Sequence, residues 1–399
     1  MRTLEKNHQG FSTLLALAFI PLSGFATDIY LPSLPSMASD LHVSAAAIQL
    51  SLVLFMFSVG VSQFFIGSIL DSFGRYKIGL GALAVFSITS FSIAVTPSIY
   101  VIYAMRIIQG IAIALIVVGK RAYFVDLFSG EKLKSYISLF SIIWASAPII
   151  APFLGGYLQD SFGWRSNFYF LGGLSLVFLI LELVYSGESI KQFHPFKVKT
   201  ILQTYTGMLK TTDFTLGLII IGISFGMIII YSLSSPFIIE RVLGFSAITT
   251  GYSSLLSGLS LMSGGIIAKA LIKKPLAKKI AIAFGIQFFL ILLMVITSSS
   301  ISNLYTLISF IIGIHMAGGF IFNILYGYCL SRFSNNAGIA SGLTGGVMYM
   351  ISSIFSYGFA NLFEVKSQFF LGIADLSLLL IIIILFFLFN KYRRLQVTV

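Results

Sequence analysis

The feature that most constrains this chain is its repeated runs of about twenty apolar residues, rich in Ile, Leu and Phe. Such a run is long enough, at about 1.5 Å per residue, to cross a hydrocarbon layer of about 30 Å as a helix. Barrel strands would instead show alternation over segments of about ten residues. Hydropathy places twelve spans at 11–32, 48–70, 78–96, 99–122, 136–158, 165–186, 213–235, 247–271, 278–297, 303–329, 338–362 and 368–390. A soluble globule is excluded, since 57% of the residues are hydrophobic and only 10% charged. Arg2, Lys6 and Ala16-Leu17-Ala18 resemble parts of a cleaved signal, but the apolar run continues well past them, so the first span is expected to be retained.

Charge placement tests the count. An even number of spans puts both termini on one side, and basic residues favour cytoplasmic loops. Of the 25 Lys and Arg, 21 fall in the termini or in loops on their side, the exceptions being Arg165, Arg241, Lys366 and the intramembrane Arg106. Both termini are therefore expected in the cytoplasm. The net charge of +12 is then accounted for by topology and anionic lipid, with no nucleic-acid partner. The longest hydrophilic stretch, Ser186 to Thr212, divides the chain into 1–186, a cytoplasmic loop at 187–212, and 213–399, six spans on each side. Duplicated halves are common in transporters. Gly67-Ser-Ile-Leu-Asp71 is faintly echoed by Gly265-Ile-Ile-Ala-Lys269.

Chemistry on covalent bonds is not expected. The lone Cys329 excludes an intramolecular disulfide framework, and His8, His42, His194 and His315 have no metal-ligand spacing. No phosphate-cradling loop, nucleophile elbow or paired-Cys motif is present, so neither metal nor cofactor is implied.

Charges inside spans carry the functional signal. Asp28 lies seventeen residues beyond Phe11, roughly 25 Å along the first span. Arg106 lies roughly 10 Å inside the fourth, entered from the opposite side at Ile99. The two depths match, and an isolated charge there is costly, so each is expected to meet the other directly or through water. A fixed structural salt bridge is the plain alternative. A carboxylate beside a cation in a wettable cavity can also exchange its partner for a proton or a cationic ligand. His315, roughly 18 Å into the tenth span, reads as a hydrogen-bonded packing residue or as a cavity group titrating near neutrality. Asp375 is expected at a lipid edge or a helix pairing, and Glu182 is expected to snorkel to the headgroups. Phe55, Met56, Tyr231 and Met316 suit an adaptable binding surface, although lipid-facing filler is the simpler reading of most such residues.

The motifs around these residues resemble the major facilitator superfamily, and within it the bicyclomycin-resistance (Bcr/CflA) branch of drug:proton antiporters. Asp28-Ile-Tyr30-Leu-Pro32-Ser-Leu-Pro35 matches that branch's D-x-Y-L-P-x-L-P, and Gln49-Leu-Ser-Leu52 with Gln63 resembles its second span. Gly67 to Lys77, including Asp71, Gly74 and Arg75, resembles the cytoplasmic gating motif, with Ser72 and Tyr76 at usually basic positions. Arg106-Ile-Ile-Gln109-Gly110 resembles the Arg motif of proton-coupled members. Arg121-Ala122 with Asp126-Leu-Phe128 resembles R-A-x-x-R-D-L-F, with Val125 replacing an arginine. Ala147-Pro148-Ile-Ile-Ala-Pro152-Phe-Leu-Gly155-Gly156 resembles the antiporter signature, Ala147 standing where Gly is common. Ser235-Pro236-Phe237 and Gly338-Ile-Ala-Ser-Gly342 extend the likeness, while Phe322-Asn323 departs from Pro-Asn.

The resemblance implies an all-α polytopic membrane protein of two six-helix bundles, with spans one, four, seven and ten lining a cavity. Asp28 and Arg106 would couple to protons, with Tyr30, Phe55, Met56, Gln109, Tyr231, His315 and Asn323 as substrate candidates. Asp71 and Arg75 would latch the outward-open state, with Arg121 and Asp126 as either partners or a solvated helix end. The implied protein is a monomer of the bacterial inner membrane, exporting a small organic compound against protons by alternating access. A carrier of a natural metabolite such as a siderophore or nucleoside, working inward, is the alternative.

Overall fold

The computed structural model describes residues 4–190, 192–193, 195–196, 198–333, 337–363 and 365–397. Arg2, Lys191, His194 and Lys197 lie outside them. Among the described residues the chain is helical throughout its apolar regions: α1 Gln9–Ala18, α2 Leu22–Asp28, α3 Leu34–Asp40, α4 Ala45–Phe73, α5 Tyr76–Val95, α6 Ile99–Leu127, α7 Gly130–Phe162 and α8 Arg165–Tyr185. There follow α9 Val198–Leu209, α10 Thr212–Pro236, α11 Ala247–Ala270, α12 Leu276–Thr297, α13 Leu304–Arg332, α14 Ala337–Leu362 and α15 Gln368–Val397.

The first span differs from the single helix expected over 11–32. It is a broken run over Gln9–Asp40, made of α1, α2, a 3-10 turn at Leu31–Ser33, and α3. The prolines supply the cause. Pro21, Pro32 and Pro35 cannot donate to the carbonyls four residues earlier, so the ladder lapses after Ala18 and again after Asp28. The seventh span is longer than its predicted 213–235, because Pro236 leads into a π-helical turn at Phe237–Val242.

Ten of the described helical runs are long and apolar enough to cross a membrane. The predicted spans 136–158 and 247–271 coincide with α7 and α11, of 33 and 24 residues. α11 falls outside those ten because Ser and Gly dilute its sequence.

Packing divides the chain into Met1–Ile201 and Leu202–Val399. Inside the first unit α4 packs along α6, α5 along α8 and α6, and α2 along α7. Inside the second, α11 packs along α13, α12 along α15 and α13, and α10 along α14. The second set repeats the first six spans later, which is what an internal duplication produces. Close approach at small residues carries part of this packing. A Cβ on Gly110 of α6 would sit 1.9 Å from Ser58 Oγ and 2.6 Å from the Phe55 carbonyl of α4. At the matching crossing, a Cβ on Gly319 of α13 would lie 2.3 Å from the Leu261 carbonyl of α11.

Gly119, also on α6, provides the control, since its Cβ would meet only Leu70 Cδ1 at 3.6 Å. Gly110→Ala is expected to cost about 1–3 kcal/mol by forcing α4 and α6 apart. Gly119→Ala should be neutral or slightly stabilising, because Ala favours a helix over Gly by roughly 0.5–1 kcal/mol. Thermal midpoints of the two purified variants check the contrast.

Candidate functional site

The site begins with the break in the first span. α2 ends at Asp28, Ile29 N–H still reaches the Phe25 carbonyl at 3.1 Å, and the next turn tightens, with Ser33 N–H donating to the Tyr30 carbonyl at 2.9 Å. Carbonyls at this point lack their helical donors, and an orphan carbonyl in an apolar interior is costly. Arg106 Nη1 donates to one of them, Ala26 O, at 3.1 Å. It also donates to Gln109 Oε1 at 2.9 Å, whose Nε2 in turn donates to Ser90 Oγ at 2.8 Å.

Aromatic rings complete the guanidinium's seat. Arg106 Cζ lies 4.1 Å from the Phe55 ring centroid and 4.6 Å from that of Tyr30, positions in which a cation is drawn to the ring face. The Tyr30 hydroxyl is paired with Ser51 Oγ at 3.2 Å. Arg106 is fully buried, while its Nε and Nη2 have no protein partner.

Asp28 is half-buried, two residues beyond the carbonyl that Arg106 holds, and the two charges interact through space. They form no direct ion pair. The direct contact that matching depths made plausible is replaced by hydrogen bonds to Ala26 and Gln109, because the broken helix offers the guanidinium a backbone acceptor. The carboxylate thus sits beside a fixed cation without being clasped by it.

The α7 motif packs against the same break. A Cβ on Gly155 would fall 1.6 Å from the Ile29 carbonyl, so only glycine lets α7 lie against the residue after Asp28. Two turns earlier on α7 Ala147 meets Gly24, where a Cβ would come within 2.3 Å of the alanine methyl. Pro148 and Pro152 lie inside α7 between these contacts, and Gly156 is buried.

The remaining cavity candidates divide between the two units. Met56, like Phe55, is buried in the first. In the second, the Tyr231 hydroxyl pairs with Ser253 Oγ, and His315 Nδ1 pairs with Ser257 Oγ at 2.7 Å. The two rings meet edge to face at 5.2 Å, and His315 Nε2 has no protein partner. Asn323 Nδ2 donates to the Gly319 carbonyl at 2.8 Å.

A second polar centre surrounds the Gly67–Lys77 loop. Gly74 adopts φ +92°, and Arg75 bridges Asp71, at 2.9 Å, and Asp126. Glu188 was not foreseen from the sequence. Its carboxylate accepts the backbone N–H groups of Arg75 and Tyr76 at 3.0 and 3.1 Å, capping the start of α5. Ser189 Oγ donates to Asp126 at 2.7 Å, so the segment after α8 is tied to the loop twice. Gly67, Lys77 and Arg121 are exposed, and Arg121 takes no part in this network. The only signal for Glu188 was an isolated acid just past the sixth span.

One expectation is corrected and one is narrowed. Glu182 does not snorkel: it is 3% exposed and paired with Lys120, whose Nζ lies 4.8 Å from the Phe19 ring centroid. Of the two readings of Asp375 the lipid edge is excluded and helix pairing stands, since it is fully buried in α15, which packs along α10 and α12, with neither carboxyl oxygen hydrogen-bonded. An acid pairing that hydropathy cannot see also ties α10 to α13, where buried Asp213 accepts from Arg332 Nε at 3.0 Å and from the Tyr328 hydroxyl.

Residues 16–357 match the family model described as Major Facilitator Superfamily. The chain belongs to this superfamily. Among its relatives is a Bacillus subtilis protein called uncharacterized MFS-type transporter YdgK, 29% identical over 86% of this chain and 88% of its own. Another is a bicyclomycin resistance protein homolog of Haemophilus influenzae, 26% identical over 86% of each. Multidrug resistance protein D of Escherichia coli is 30% identical over 42% of each chain. These relatives agree with the bicyclomycin-resistance branch read from the motifs. Among solved structures, a bacterial homolog of the human lysosomal transporter Spinster in an inward-facing, occupied conformation gives a TM-score of 0.72 at 14% identity, over 98% of both chains. The D-xylose-proton symporter gives 0.69 at 16% identity over 93% and 96%. At these identities the likeness is one of fold. The protein is thus a multi-pass membrane transporter of the major facilitator fold.

The Lys120 and Glu182 pair is testable apart from transport. Lys120→Met leaves the Glu182 carboxylate buried and unpaired, which is expected to cost about 3–5 kcal/mol. Adding Glu182→Leu should recover most of that loss. Denaturant or thermal unfolding of the single and double variants measures both steps.

Proposed function

We propose that this superfamily member is a proton-coupled exporter of a small organic compound, working by alternating access in the bacterial inner membrane. In this reading the chain has twelve spans, both termini are cytoplasmic, and a monomer in the bilayer suffices. The multidrug and bicyclomycin resistance relatives support the class of cargo. The observation that carries the coupling is the half-buried Asp28 at the end of α2, beside a buried Arg106 whose hydrogen bonds go to Ala26 and Gln109.

The chemistry follows from that arrangement. Ionised Asp28 is favoured by the neighbouring guanidinium and disfavoured by its apolar surroundings, and the two effects oppose each other. Proton binding removes the carboxylate's charge without displacing Arg106, which remains held by the backbone and by Gln109. A proton and a cargo group that needs the charged acid then exclude one another, and such competition couples opposed fluxes. Phe55 and Tyr30, buried against the guanidinium, help keep the cation in place while the acid changes its charge. The Arg75, Asp71, Asp126 and Glu188 network is suited to a latch that must form in one state and break in another, since four acceptors and donors lock together without a hydrophobic core.

Asp28→Asn should abolish substrate-driven proton movement while leaving the protein folded and inserted. In energised everted vesicles, adding a transported drug should alkalinise the lumen for the unsubstituted protein and leave it unchanged for Asp28→Asn. Normal efflux by a well-expressed Asp28→Asn variant would remove the coupling role.

A further inference from the structure

α9 stands apart from the spanning helices. Its 12 residues cover about 18 Å, too short to cross the hydrocarbon layer. At about 100° per residue its side chains sort into three arcs. Ile201, Thr204, Tyr205 and Met208 share one arc and are partly or fully buried, Met208 at 3% exposure. Val198, Leu202 and Leu209 fall within about 40° of one another on a second arc and are all exposed. Lys199, Gln203, Thr206 and Gly207 occupy the third, also exposed, with Lys210 following on the same side.

Each arc has a different requirement. The first is already covered by protein. The second is an apolar stripe left exposed by the described residues, in a helix whose other open side is polar and basic. Phe193 and Phe196, just before the helix, are exposed as well. No Asp or Glu occurs between Ser189 and Asp213, so the local charge is positive throughout.

A narrow apolar stripe flanked by lysines, on a helix lying outside the spans of a membrane protein, fits a membrane interface. We propose that α9 seats Val198, Leu202 and Leu209 in the acyl boundary of the bilayer, with Lys199 and Lys210 on anionic lipid headgroups. The partner is the anionic lipid surface. Apolar burial and charge attraction act together here, so headgroup charge controls how firmly the segment between the two units is held. The assignment does not depend on the direction or cargo of transport.

Nitroxide labels at Leu202→Cys and Gln203→Cys, on a Cys329→Ala background, test it in nanodiscs of phosphatidylglycerol or of phosphatidylcholine alone. In phosphatidylglycerol the label at 202 should collide mainly with oxygen, and the label at 203 mainly with a water-soluble nickel chelate. Lys199→Gln or Lys210→Gln should lower the ratio of seated to free helix by about fivefold each in phosphatidylglycerol, and leave it unchanged in phosphatidylcholine. Hydrogen exchange of the unsubstituted protein gives a label-free readout, with slower exchange over 198–209 in the anionic discs. A 202 label open to the nickel chelate in both lipids overturns the assignment. So does a label shielded from both reagents, which indicates a protein occupant, or seating indifferent to headgroup charge and to the lysines. Drug-driven proton movement by the same variants in everted vesicles separates this failure from that of the transport reading.

Discussion

The hydrogen bond from Arg106 to the Ala26 carbonyl joins the two facts on which the structure depends. A membrane span must satisfy its own backbone, and a span with three prolines cannot. The guanidinium resolves part of that conflict from a neighbouring helix. In doing so it is committed to the backbone and to Gln109 rather than to Asp28. A cation bonded to a carboxylate on all sides would make a static bridge, costly to break in a low dielectric. A cation held elsewhere, but close by, leaves the acid free to change its protonation.

The second unit gives the contrast that makes this arrangement informative. Its helices pair as those of the first unit do, and a tyrosine on the leading span again meets a serine on the next, Tyr30 with Ser51 and Tyr231 with Ser253. Four residues before the glycine of the close crossing, the first unit has Arg106 and the second has His315. The backbone pattern is retained where the chemistry has diverged. The first unit has a strong base and an acid beside a break, whereas the second has hydroxyls and an imidazole.

Much of the fold was legible because spans are set by hydropathy over about twenty residues, a signal that averages over local detail. The same averaging hid the first span's breaks, although Pro21, Pro32 and Pro35 stood in plain view. At the candidate site, depth along each span brought Asp28 and Arg106 to the same neighbourhood. It could not choose between a carboxylate and a backbone carbonyl as the guanidinium's acceptor. Glu182 and Asp375 were judged from their distance to a span end and Glu188 drew no reading at all, while the environment of each is set by what lies opposite it. Lys120 sits opposite Glu182, the start of α5 opposite Glu188, and Asp375 is enclosed without a hydrogen-bond partner.

The central claim is that Asp28 exchanges a proton at a site where Arg106 stays fixed. Difference infrared spectroscopy of the purified protein in lipid, stepped in pH, observes the carboxyl group itself. The account predicts a protonated-carboxyl band that titrates, is lost in Asp28→Asn, and diminishes when a transported compound is added. A pH-difference spectrum unchanged by Asp28→Asn, or a band indifferent to the compound, would contradict it.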